Sequence, residues 1–462
     1  MSGVDPVLPQ SAALRRWLSI VGIGEDGIDA LSAVARGLIG DAEIVFGGKR
    51  HLALAAALIR GAARPWPSRF DGAVDEVLTH RGSRVCVLAS GDPLVYGVGT
   101  ALARKINPDE MLVVPAPSAF SLAAARLGWG LPDTALVSLH GRELDLVRPH
   151  LQPGLRVMAL TSGSDGPPQL ARLLSDTGFG MSALTVLEAL GGKRERIRAT
   201  TAAKFDLRDI DDLNVVAIDV KAEPGARVIA RAAGLPDAMF DHDGQITKRE
   251  IRAVALSSLA PRRGELLWDI GAGSGSIAIE WMLADPSLRA VAIERRPDRA
   301  ARIRRNAAMF GVPRLEVVEG EAPQVLEGLH KPHAIFIGGG AAGALDAAAS
   351  MLRVGGRLVV NAVTLETEAL LLARYAAIGG ELTRLTIAHA DTLRSEKGRR
   401  AAAGSSPPPC GEASGVGVRE EGAWGSSRRT PSPHPSPTRG EGVVAEGWRP
   451  AMPVTQWTWI KP

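Results

Sequence analysis

The chain has 462 residues, of which 45% are hydrophobic and 23% are charged, and this composition predicts a globular protein of roughly two to four domains. No apolar run reaches the length of a membrane span, and residues 1–11 lack the charged-then-apolar order of a secretory signal, so we expect a cytoplasmic protein without a membrane partner. The two cysteines, Cys86 and Cys410, argue against a disulfide framework or a cysteine-built metal site, and a net charge of +4 without aromatic-interleaved basic clusters argues against a nucleic-acid partner.

The first predicted elements are a strand over residues 17–21, a helix over 31–39 and a strand over 42–46. The first strand leads into V-G-I-G-E-D-G, which carries glycines at 22, 24 and 27. Taken alone, this glycine spacing is a weak indication of a ligand loop.

A buried strand is predicted over residues 84–89, and it runs directly into S-G-D-P-L-V-Y-G-V-G. Gly91 and Pro93 fix a bend at the carboxyl end of this strand, where open α/β sheets bind ligands. A short strand at 113–114 then precedes the turn P-A-P-S-A-F-S and a helix. Together these patterns predict a parallel sheet with a ligand loop after more than one strand.

The loops V-G-I-G, S-G-D-P-L-V-Y-G and P-S-A-F-S, in that order, resemble the tetrapyrrole methylase family. This resemblance implies two α/β subdomains, at about 17–128 and 131–222, with S-adenosylmethionine bound in the cleft between them. Residues 1–16 would form a flexible tail and residues 223–236 a linker. The resemblance implies that the cofactor is bound by Gly22, Gly24, Gly91, Asp92, Pro93, Tyr96, Gly97 and Ser118.

The second subdomain has predicted strands at 156–160, 183–187 and 215–220. Its V-S-L-H-G-R stretch resembles the branch of the family that methylates late precorrins, and it contains His140 and Arg142. A lone histidine is more often structural, so a pocket position and an acid–base role for His140 both stay open. Arg142 is a candidate partner for a substrate carboxylate.

The second half of the chain, residues 237–462, is organised around L-W-D-I-G-A-G-S-G-S at 267–276. An apolar strand, three alternating glycines and a helix follow one another, and the next strand ends at Glu294, where a carboxylate can hold ribose hydroxyls. A dinucleotide favours G-x-G-x-x-G, whereas G-x-G-x-G with this acid resembles the S-adenosylmethionine loop of class I methyltransferases. A glycine turn that only packs the helix close to the strand is the alternative.

The following strands are predicted at 315–318, 334–337 and 357–360, and the last of them ends at Asn361. Glu321 is placed to meet the adenine amino group, as an acid after this strand does in many class I methyltransferases. Many relatives carry an acid where this chain has His333, and we expect that change to be tolerated. The resemblance implies that the second domain binds its cofactor through Asp269, Gly271, Gly273, Gly275, Glu294, Gly320 and Glu321.

The stretch D-H-D-G-Q-I-T-K-R-E-I-R at 241–252 supports two interpretations. Thr247 and Glu250 have the spacing of a capping box at the start of a helix over 248–259, which is a purely structural role. The same stretch resembles decarboxylating precorrin methyltransferases, which makes Thr247 and Lys248 candidates for the substrate pocket. The catalytic candidates of the whole chain are then His140, Arg142, Thr247, Lys248 and Asn361, with no metal.

Residues 398–446 are dense in proline, serine, glycine and arginine, and we expect this insert to be disordered. It separates a strand at 382–388 from the closing stretch 448–460, so it lies in the loop of the terminal hairpin. Closing a longer loop costs little extra free energy, so the fold should survive. Its effect on the second domain stays open.

The combined resemblance implies an α/β fusion of a tetrapyrrole methylase with a class I, Rossmann-like precorrin methyltransferase. It implies that S-adenosylmethionine methylates precorrin-6B at carbons 5 and 15, with decarboxylation of the carbon-12 acetate, to give precorrin-8X in cobalamin biosynthesis. The first domain would act at carbon 5, and the second would act at carbon 15 and decarboxylate. We expect a homo-oligomer.

Three other classes stay open. One is a non-catalytic or single-domain-active corrinoid-binding scaffold, which retained cofactor loops in both halves argue against. Another is a nucleic-acid or protein methyltransferase, disfavoured because I-G-G-G replaces an N-P-P-Y-type motif after the fourth strand. The last is a nicotinamide oxidoreductase, which the spacing of the glycine loop disfavours.

Overall fold

A computed structural model describes residues 16–67, 72–338, 342–392 and 445–462. The predicted tail up to residue 15, residues 398–444 of the predicted insert, and Cys410 lie outside the described residues. The chain divides into two compact units between Ile229 and Ala230, inside the segment predicted as a linker. In the part of the chain that the structure describes, every helix is too short or too polar to span a bilayer.

The first unit begins with a parallel sheet whose five described strands lie in the order β3-β2-β4-β1-β5. Its strands are β1 (Leu18–Ile23), β2 (Ile44–Gly47), β3 (Ala62–Pro65), β4 (Val85–Ser90) and β5 (Met111–Val114). Its helices are α1 (Ala33–Asp41), α2 (Lys49–Leu54), α3 (Ala73–Thr79), α4 (Val98–Ala103) and α5 (Ala119–Leu127).

The parallel sheet is confirmed, and its strands β1 and β4 show why the sequence predicts it. Both read as nearly continuous apolar runs because helices cover both faces of the sheet, and Cys86 is buried in β4. The prediction missed β3, whose four residues are all exposed and carry no apolar alternation.

The second subdomain has a mixed sheet with the described order β6-β7-β10-β8-β9, in which the β6–β7 pair is parallel and the remaining pairs are antiparallel. Its elements are β6 (Thr134–Ser138), β7 (Arg156–Leu160), α6 (Gly166–Asp176), β8 (Ala183–Glu188), β9 (Arg196–Thr201) and β10 (Asn214–Asp219). The polar strand β9 was not predicted. It is held by the buried carboxylate of Glu188, which accepts hydrogen bonds from Arg196 and Arg198.

The second unit is built on a sheet whose seven described strands lie in the order β13-β12-β11-β14-β15-β19-β16. Its strands are β11 (Leu266–Ile270), β12 (Arg289–Glu294), β13 (Glu316–Glu319), β14 (Ala334–Ile337), β15 (Arg357–Ala362), β16 (Glu381–Leu385), β17 (Ala388–Thr392), β18 (Ala445–Pro450) and β19 (Val454–Ile460). Its helices are α7 (Arg249–Leu259), α8 (Ser276–Ala284), α9 (Pro297–Met309), α10 (Leu345–Met351) and α11 (Leu365–Ile378). Strands β11 to β15 run parallel, and β19 is antiparallel to both of its neighbours. This confirms the predicted α/β class, with a Rossmann-like second domain.

The predicted terminal hairpin is present in two steps. Strand β16 pairs with β19 inside the main sheet, and β17 pairs with β18 in a separate two-stranded ribbon. The chain between the ends of β17 and β18 falls outside the described residues, so the placement of the insert in this hairpin stays a prediction.

The capping box predicted at Thr247 is wrong. Helix α7 begins at Arg249, Lys248 occupies its N-cap, and no side chain caps it. The backbone carbonyl of Thr247 instead accepts a hydrogen bond from Arg252. The long side chain of Arg252, from inside α7, therefore fixes the start of the helix, where the short side chain of Thr247 was expected to cap it.

Candidate functional sites

The first unit contains a cavity of about 500 Å³ at the carboxyl ends of β1, β2, β4 and β5, which the second subdomain also lines. The predicted site residues that line it are Gly24, Gly91, Asp92, Tyr96, Gly97, Ser118, His140 and Arg142. Gly22 and Pro93 do not line it. The structure therefore brings eight residues from four separate loops to one cleft.

Gly22 allows two loops to pass each other behind the cavity. A Cβ atom on it would lie 1.9 Å from the carbonyl oxygen of Gly91 and 2.6 Å from the amide nitrogen of Ala116. Gly91 itself has a φ of +53° and accepts a hydrogen bond from Ala116 N at 3.2 Å. Gly22 thus supports the loops after β4 and β5 from behind the cavity, which differs from the direct contact expected for it.

The loop after β4 presents Tyr96 at the rim of the cleft. Its hydroxyl donates to the carbonyl of Leu136 at 2.9 Å, and the guanidinium carbon of Arg142 lies 5.3 Å from its ring centroid. Pro93 lies behind this loop, because a Cβ atom on Gly97 would lie 2.6 Å from its carbonyl oxygen. The pairing with Tyr96 orients Arg142 in the cavity wall, where its cationic group suits a substrate carboxylate.

His140 lies exposed in the same wall, with its Nδ1 atom 3.3 Å from the carbonyl oxygen of Thr161. A carbonyl only accepts hydrogen bonds, so this contact favours the tautomer with the proton on Nδ1. The neutral ring then has an unprotonated Nε2. The acid–base role of His140 stays a prediction.

The sequence analysis missed a polar cluster formed by Glu25, Arg50, His51 and Ser90, all of which line the cavity. Arg50 forms an ion pair with Glu25, and its Nη2 donates to Ser90 Oγ at 2.8 Å. His51 Nε2 lies 2.9 Å from the same Nη2 and 2.8 Å from Ser90 Oγ. Burial, reinforced by the charge of Arg50, lowers the pKa of His51 to about 4. The signal that could have revealed the cluster is its position, since G-G-K-R-H begins at the carboxyl end of β2.

Replacing His51 with glutamine should make the first unit less sensitive to acid. The unfolded chain takes up a proton at this histidine near its ordinary pKa of about 6.5, whereas the folded chain does so only near 4. Wild-type stability is therefore lost as the pH falls through this interval, and glutamine removes the loss. The free energy of unfolding in urea should be measured for both proteins at pH 7 and pH 5. The value for His51→Gln, relative to that of wild type, should be higher at pH 5 than at pH 7. A difference that stays constant between the two pH values would contradict the assignment.

The second unit contains a larger cavity, of about 990 Å³, at the carboxyl ends of β11 to β15. The predicted site residues that line it are Thr247, Lys248, Gly271, Gly273, Glu294, Gly320, Glu321 and Asn361. Asp269 and Gly275 do not line it. This edge of the sheet is where open parallel sheets bind their ligands.

The glycine loop after β11 needs its glycines for different reasons. Gly271, Gly273 and Gly275 have φ values of +75°, +60° and +77°, a region that disfavours other residues. A Cβ atom on Gly275 would also lie 2.8 Å from Ile303, so this glycine lets α8 pack against α9. Close packing, the alternative considered for the whole motif, thus accounts for Gly275, while Gly271 and Gly273 border the cavity.

Two buried acids fix the glycine loop and the helix that follows it. Glu294 is buried and accepts hydrogen bonds from Gly273 N at 2.9 Å and Arg296 N at 3.0 Å. A carboxylate has lone pairs beyond these two bonds, so it can also accept from ribose hydroxyls. Asp269 lies beneath the loop and accepts from Ala278 N at 3.1 Å, and burial, with the nearby Glu294 charge, raises its pKa to about 7. Asp269 therefore fixes the first turn of α8, and it does not line the cavity.

Two buried polar atoms of the cavity wall have no hydrogen-bond partner among the described residues. They are the Oδ1 atom of Asn361 and the Oγ atom of Ser274, and both are buried. Buried polar atoms are nearly always paired, so a ligand is the expected partner here. With the glycine loop and Glu294, these groups fit S-adenosylmethionine, whose amino-acid and ribose parts both need hydrogen bonds.

The segment before α7, which forms one wall of this cavity, is fixed by the fully buried side chain of Arg252. Its Nε donates to Glu280 at 2.5 Å and its Nη1 to Asp237 at 3.1 Å, and it also binds the carbonyls of Leu235 and Thr247. Lys248 is more loosely placed, with its Nζ 3.8 Å from Asp237. Arg252 is part of the motif at 241–252, but the motif gave no indication that this side chain is buried.

A second anchor of this wall joins it to α9. Arg299 donates to Asp243 at 2.8 Å and to Gln245 at 3.0 Å, and Arg302 lies 3.3 Å from Asp243. Although burial acts to raise it, the pKa of Asp243 is lowered to about 2 because the Arg299 guanidinium and the Gln245 amide bind the carboxylate. The wall is thus attached to the helix that follows Glu294.

Comparison with known proteins identifies both halves of the chain. Residues 18–206 match the family of tetrapyrrole (corrin/porphyrin) methylases, and residues 238–405 match the precorrin methyltransferase domain. A precorrin-6Y C(5,15)-methyltransferase [decarboxylating] from Sinorhizobium sp is 53% identical over 454 residues, which cover 98% of each chain.

Two shorter relatives each match part of the chain. A probable cobalt-precorrin-6B C(15)-methyltransferase (decarboxylating) from Saccharolobus solfataricus is 39% identical over 34% of this chain and 83% of its own length. A cobalt-precorrin-7 C(5)-methyltransferase from Salmonella typhimurium is 33% identical over 39% of this chain and 88% of its own length. Because the full-length match extends over nearly all of both chains, this protein belongs to the family of precorrin-6Y C(5,15)-methyltransferases (decarboxylating).

Proposed function

We propose that this chain transfers two methyl groups from S-adenosylmethionine to carbons 5 and 15 of precorrin-6B and removes carbon dioxide from the carbon-12 acetate. The product is precorrin-8X, an intermediate of cobalamin biosynthesis. The observation that carries the proposal is the presence of two separate cavities, each bordered by glycine loops at the carboxyl ends of parallel strands. A single-site enzyme would need only one of them.

The two units divide the chemistry. The first unit acts at carbon 5, and the second acts at carbon 15 and decarboxylates. This division is supported by the two short relatives, since one is named for carbon 5 alone and the other for carbon 15 with decarboxylation. It is also supported by the separate family matches before and after the boundary at residue 229.

In the first unit the protein mainly aligns the reacting carbon. S-adenosylmethionine supplies an electrophilic methyl group, and a reduced tetrapyrrole has enamine-like bridging carbons that are nucleophilic by themselves. Holding the two in line is then the main task, and correct orientation is worth a large part of a reaction barrier. Gly24, Gly91 and Ser118 border the cofactor, while Arg142 at the rim binds a carboxylate of the macrocycle.

In the second unit, Glu294 binds the ribose hydroxyls and Glu321 the adenine amino group. The amide-rich loop around Gly273 and the unpartnered Ser274 hold the amino-acid part. Asn361, at the end of β15, contacts the macrocycle together with Thr247 and Lys248. These roles follow from position on the cavity wall and from the hydrogen bonds that each group has left to make.

We also propose that the chain forms a homo-oligomer in the cytoplasm. Helix α11 exposes Leu365, Leu372, Tyr375 and Ile378, and a helix with this many exposed apolar residues is typical of a face that packs against another subunit. Light scattering coupled to size-exclusion chromatography would give a mass above 48.5 kDa if this is right, and 48.5 kDa if the chain is a monomer.

Mass spectrometry of precorrin-6B incubated with the full chain and S-adenosylmethionine tests the catalytic proposal. We expect a product that has gained two methyl groups and lost one carbon dioxide. One methyl gained without loss of carbon dioxide would mean that only the first unit is active. No change in mass while the cofactor still binds would contradict the enzyme and favour the corrinoid-binding scaffold.

A further inference from the structure

The terminal hairpin extends past the edge of the parallel sheet and reaches the cavity of the second unit. Ala362, the last residue of β15, pairs with Thr455, so β19 begins at the carboxyl edge of the parallel strands. The ribbon of β17 and β18 continues beyond this edge, because β17 follows β16 and β18 precedes β19 along the chain. The ribbon and the residues beside it contribute to the cavity lining Ile387, His389, Ala451 and Met452. The ribbon therefore forms a wall at the end of the sheet farthest from β13.

His389 presents its ring to this cavity without a competing partner. It is the second residue of β17, and Ile387 directly precedes the strand, so the two side chains share a face of the extended chain and both line the cavity. The backbone here is fixed, since Ala451 N donates to the carbonyl of Ile387 at 2.8 Å and His389 pairs in register with Arg449. The ring is exposed, and it forms no hydrogen bond or ion pair with another described residue. It is therefore free to contact a ligand.

The order of the strands places His389 on the substrate side of the cavity. In the proposed function, Glu294 at the end of β12 and Glu321 after β13 hold the adenosine part of the cofactor. The glycine loop after β11 holds the amino-acid part, and the next strands in the sheet are β14, β15 and β19. The macrocycle then occupies the space over these strands and the ribbon, where Asn361 and His389 line the cavity. His389 therefore faces the macrocycle and not the cofactor.

We infer that His389 donates the proton that converts the carbon-12 methylene to a methyl group after carbon dioxide has left, a role that rests on the proposed function and extends it. In the first step the bond between the methylene and the carboxyl carbon breaks. Its electron pair forms a double bond from the methylene to carbon 12, and the displaced electrons neutralise the protonated macrocycle. In the second step the methylene carbon uses the pair of that double bond to take a proton from the imidazolium. The macrocycle becomes cationic again, and the imidazole regains a proton from water.

Histidine suits this step because water protonates carbon slowly near neutral pH. An imidazole takes up and releases protons in that range, and a positioned general acid typically accelerates a reaction about 10²–10⁴-fold. His389 is exposed, so its ring can exchange protons with water between turnovers. Its neighbour across the ribbon, Arg449, is a cation that does not supply the proton itself, because a guanidinium remains protonated in proteins.

The other ionisable side chains that line this cavity are less suited to the step. Each carboxylate among the described lining residues accepts a hydrogen bond or lies in an ion pair, and these carboxylates are Asp237, Glu250, Glu294 and Glu321. Helix α7 packs on β14, β15 and β19, so it brings Lys248 and Arg249 to the same side of the cavity as His389. A lysine gives up its proton less readily than an imidazolium, and an arginine retains its proton. These two cations are therefore suited to bind carboxylates of the macrocycle, and His389 is suited to give the proton.

Deuterium incorporation tests the inference. Single turnovers of precorrin-6B with S-adenosylmethionine are run in ordinary water and quenched in acidic D2O, and deuterium in the carbon-12 methyl group is then measured by NMR. Wild type should contain none there, because its methyl group is complete before the quench. His389→Gln should still methylate carbon 15 and release carbon dioxide, but its methylene compound should persist about a hundredfold longer. That compound takes up one deuterium at the quench and gives a CH2D group.

Two further variants complete the test. His330→Gln is the matched control, because His330 is exposed and does not line the cavity, and its product should contain no deuterium. His389→Ala should behave like His389→Gln, and added imidazole should reduce its deuterium uptake, which a purely structural role of the side chain would not predict. The inference is overturned if His389→Gln takes up no deuterium, if imidazole leaves the uptake of His389→Ala unchanged, or if both variants lose methylation and carbon dioxide release together. Failure of the proposed function is a different result, since the wild-type chain would then neither methylate nor decarboxylate.

Discussion

Replacing Gly22 with alanine should abolish methylation at carbon 5 and leave the chemistry of the second unit intact. The added Cβ would lie 1.9 Å from a backbone oxygen of Gly91 and 2.6 Å from the amide nitrogen of Ala116, and neither atom can rotate away. The loops after β4 and β5 must therefore separate, which displaces the lining residues Gly91 and Ser118. Since a 1 Å misplacement of reacting groups costs about a hundredfold in rate, we expect at least that loss at carbon 5.

The measurement is the product mass from precorrin-6B, supported by the number of cofactor molecules bound per chain in calorimetry. Gly22→Ala should bind one S-adenosylmethionine where wild type binds two, and its product should lack the carbon-5 methyl group. Gly37→Ala is the matched control, because Gly37 lies in α1 with no atom within 4 Å of its would-be Cβ. Alanine in a helix stabilises by up to about 1 kcal/mol, so this control should be fully active. Normal carbon-5 methylation by Gly22→Ala would contradict the loop contact.

The strands of this protein were predictable where burial on both faces leaves an apolar run. Strands β4 and β11 are of this kind, and the structure places β4 within one residue of its prediction. Two strands that were not predicted, β3 and β9, are polar or exposed edge strands. Strand β9 owes its position to the buried carboxylate of Glu188, a long-range contact that leaves no local periodicity.

The candidate sites show the same division between local and long-range causes. Glycine loops could be found because a positive φ or a close backbone approach admits little else. The sequence could not show which of these glycines face the cavity, because that depends on the residues packed against them. Gly22 packs against Gly91, and Gly275 packs against Ile303. The cluster around His51 depends on residues far apart in the chain, from Glu25 to Ser90. The spacing of residues along the sequence does not reveal contacts of this kind.

Removal of the Arg252 guanidinium should be the most damaging single change in the second unit. Leucine at this position would leave the carboxylate of Glu280 buried without its cation, and it would free Asp237 and the carbonyl of Thr247, both on the cavity side of the segment. Breaking a buried ion pair from one side costs about 3–5 kcal/mol. Arg252→Leu should therefore lower the unfolding free energy of the second unit by that amount. It should also abolish carbon-15 methylation and decarboxylation, while carbon-5 methylation persists.

Chemical denaturation followed by tryptophan fluorescence measures the stability change, and Arg263→Leu is the control. Arg263 is 86% exposed and lies 3.7 Å from Asp285, and an exposed pair of this kind contributes about 0–1 kcal/mol. A second substitution, Glu280→Leu in the Arg252→Leu background, removes the unpaired charge but also the acceptor of Gly234 N and Leu235 N. We therefore expect this double variant to recover part of the stability and none of the activity. Full recovery of activity would contradict the role of Arg252 in the cavity wall. The segment from 235 to 247 would then keep its position without the side chains of Arg252 and Glu280, and Arg252 would stabilise only the core.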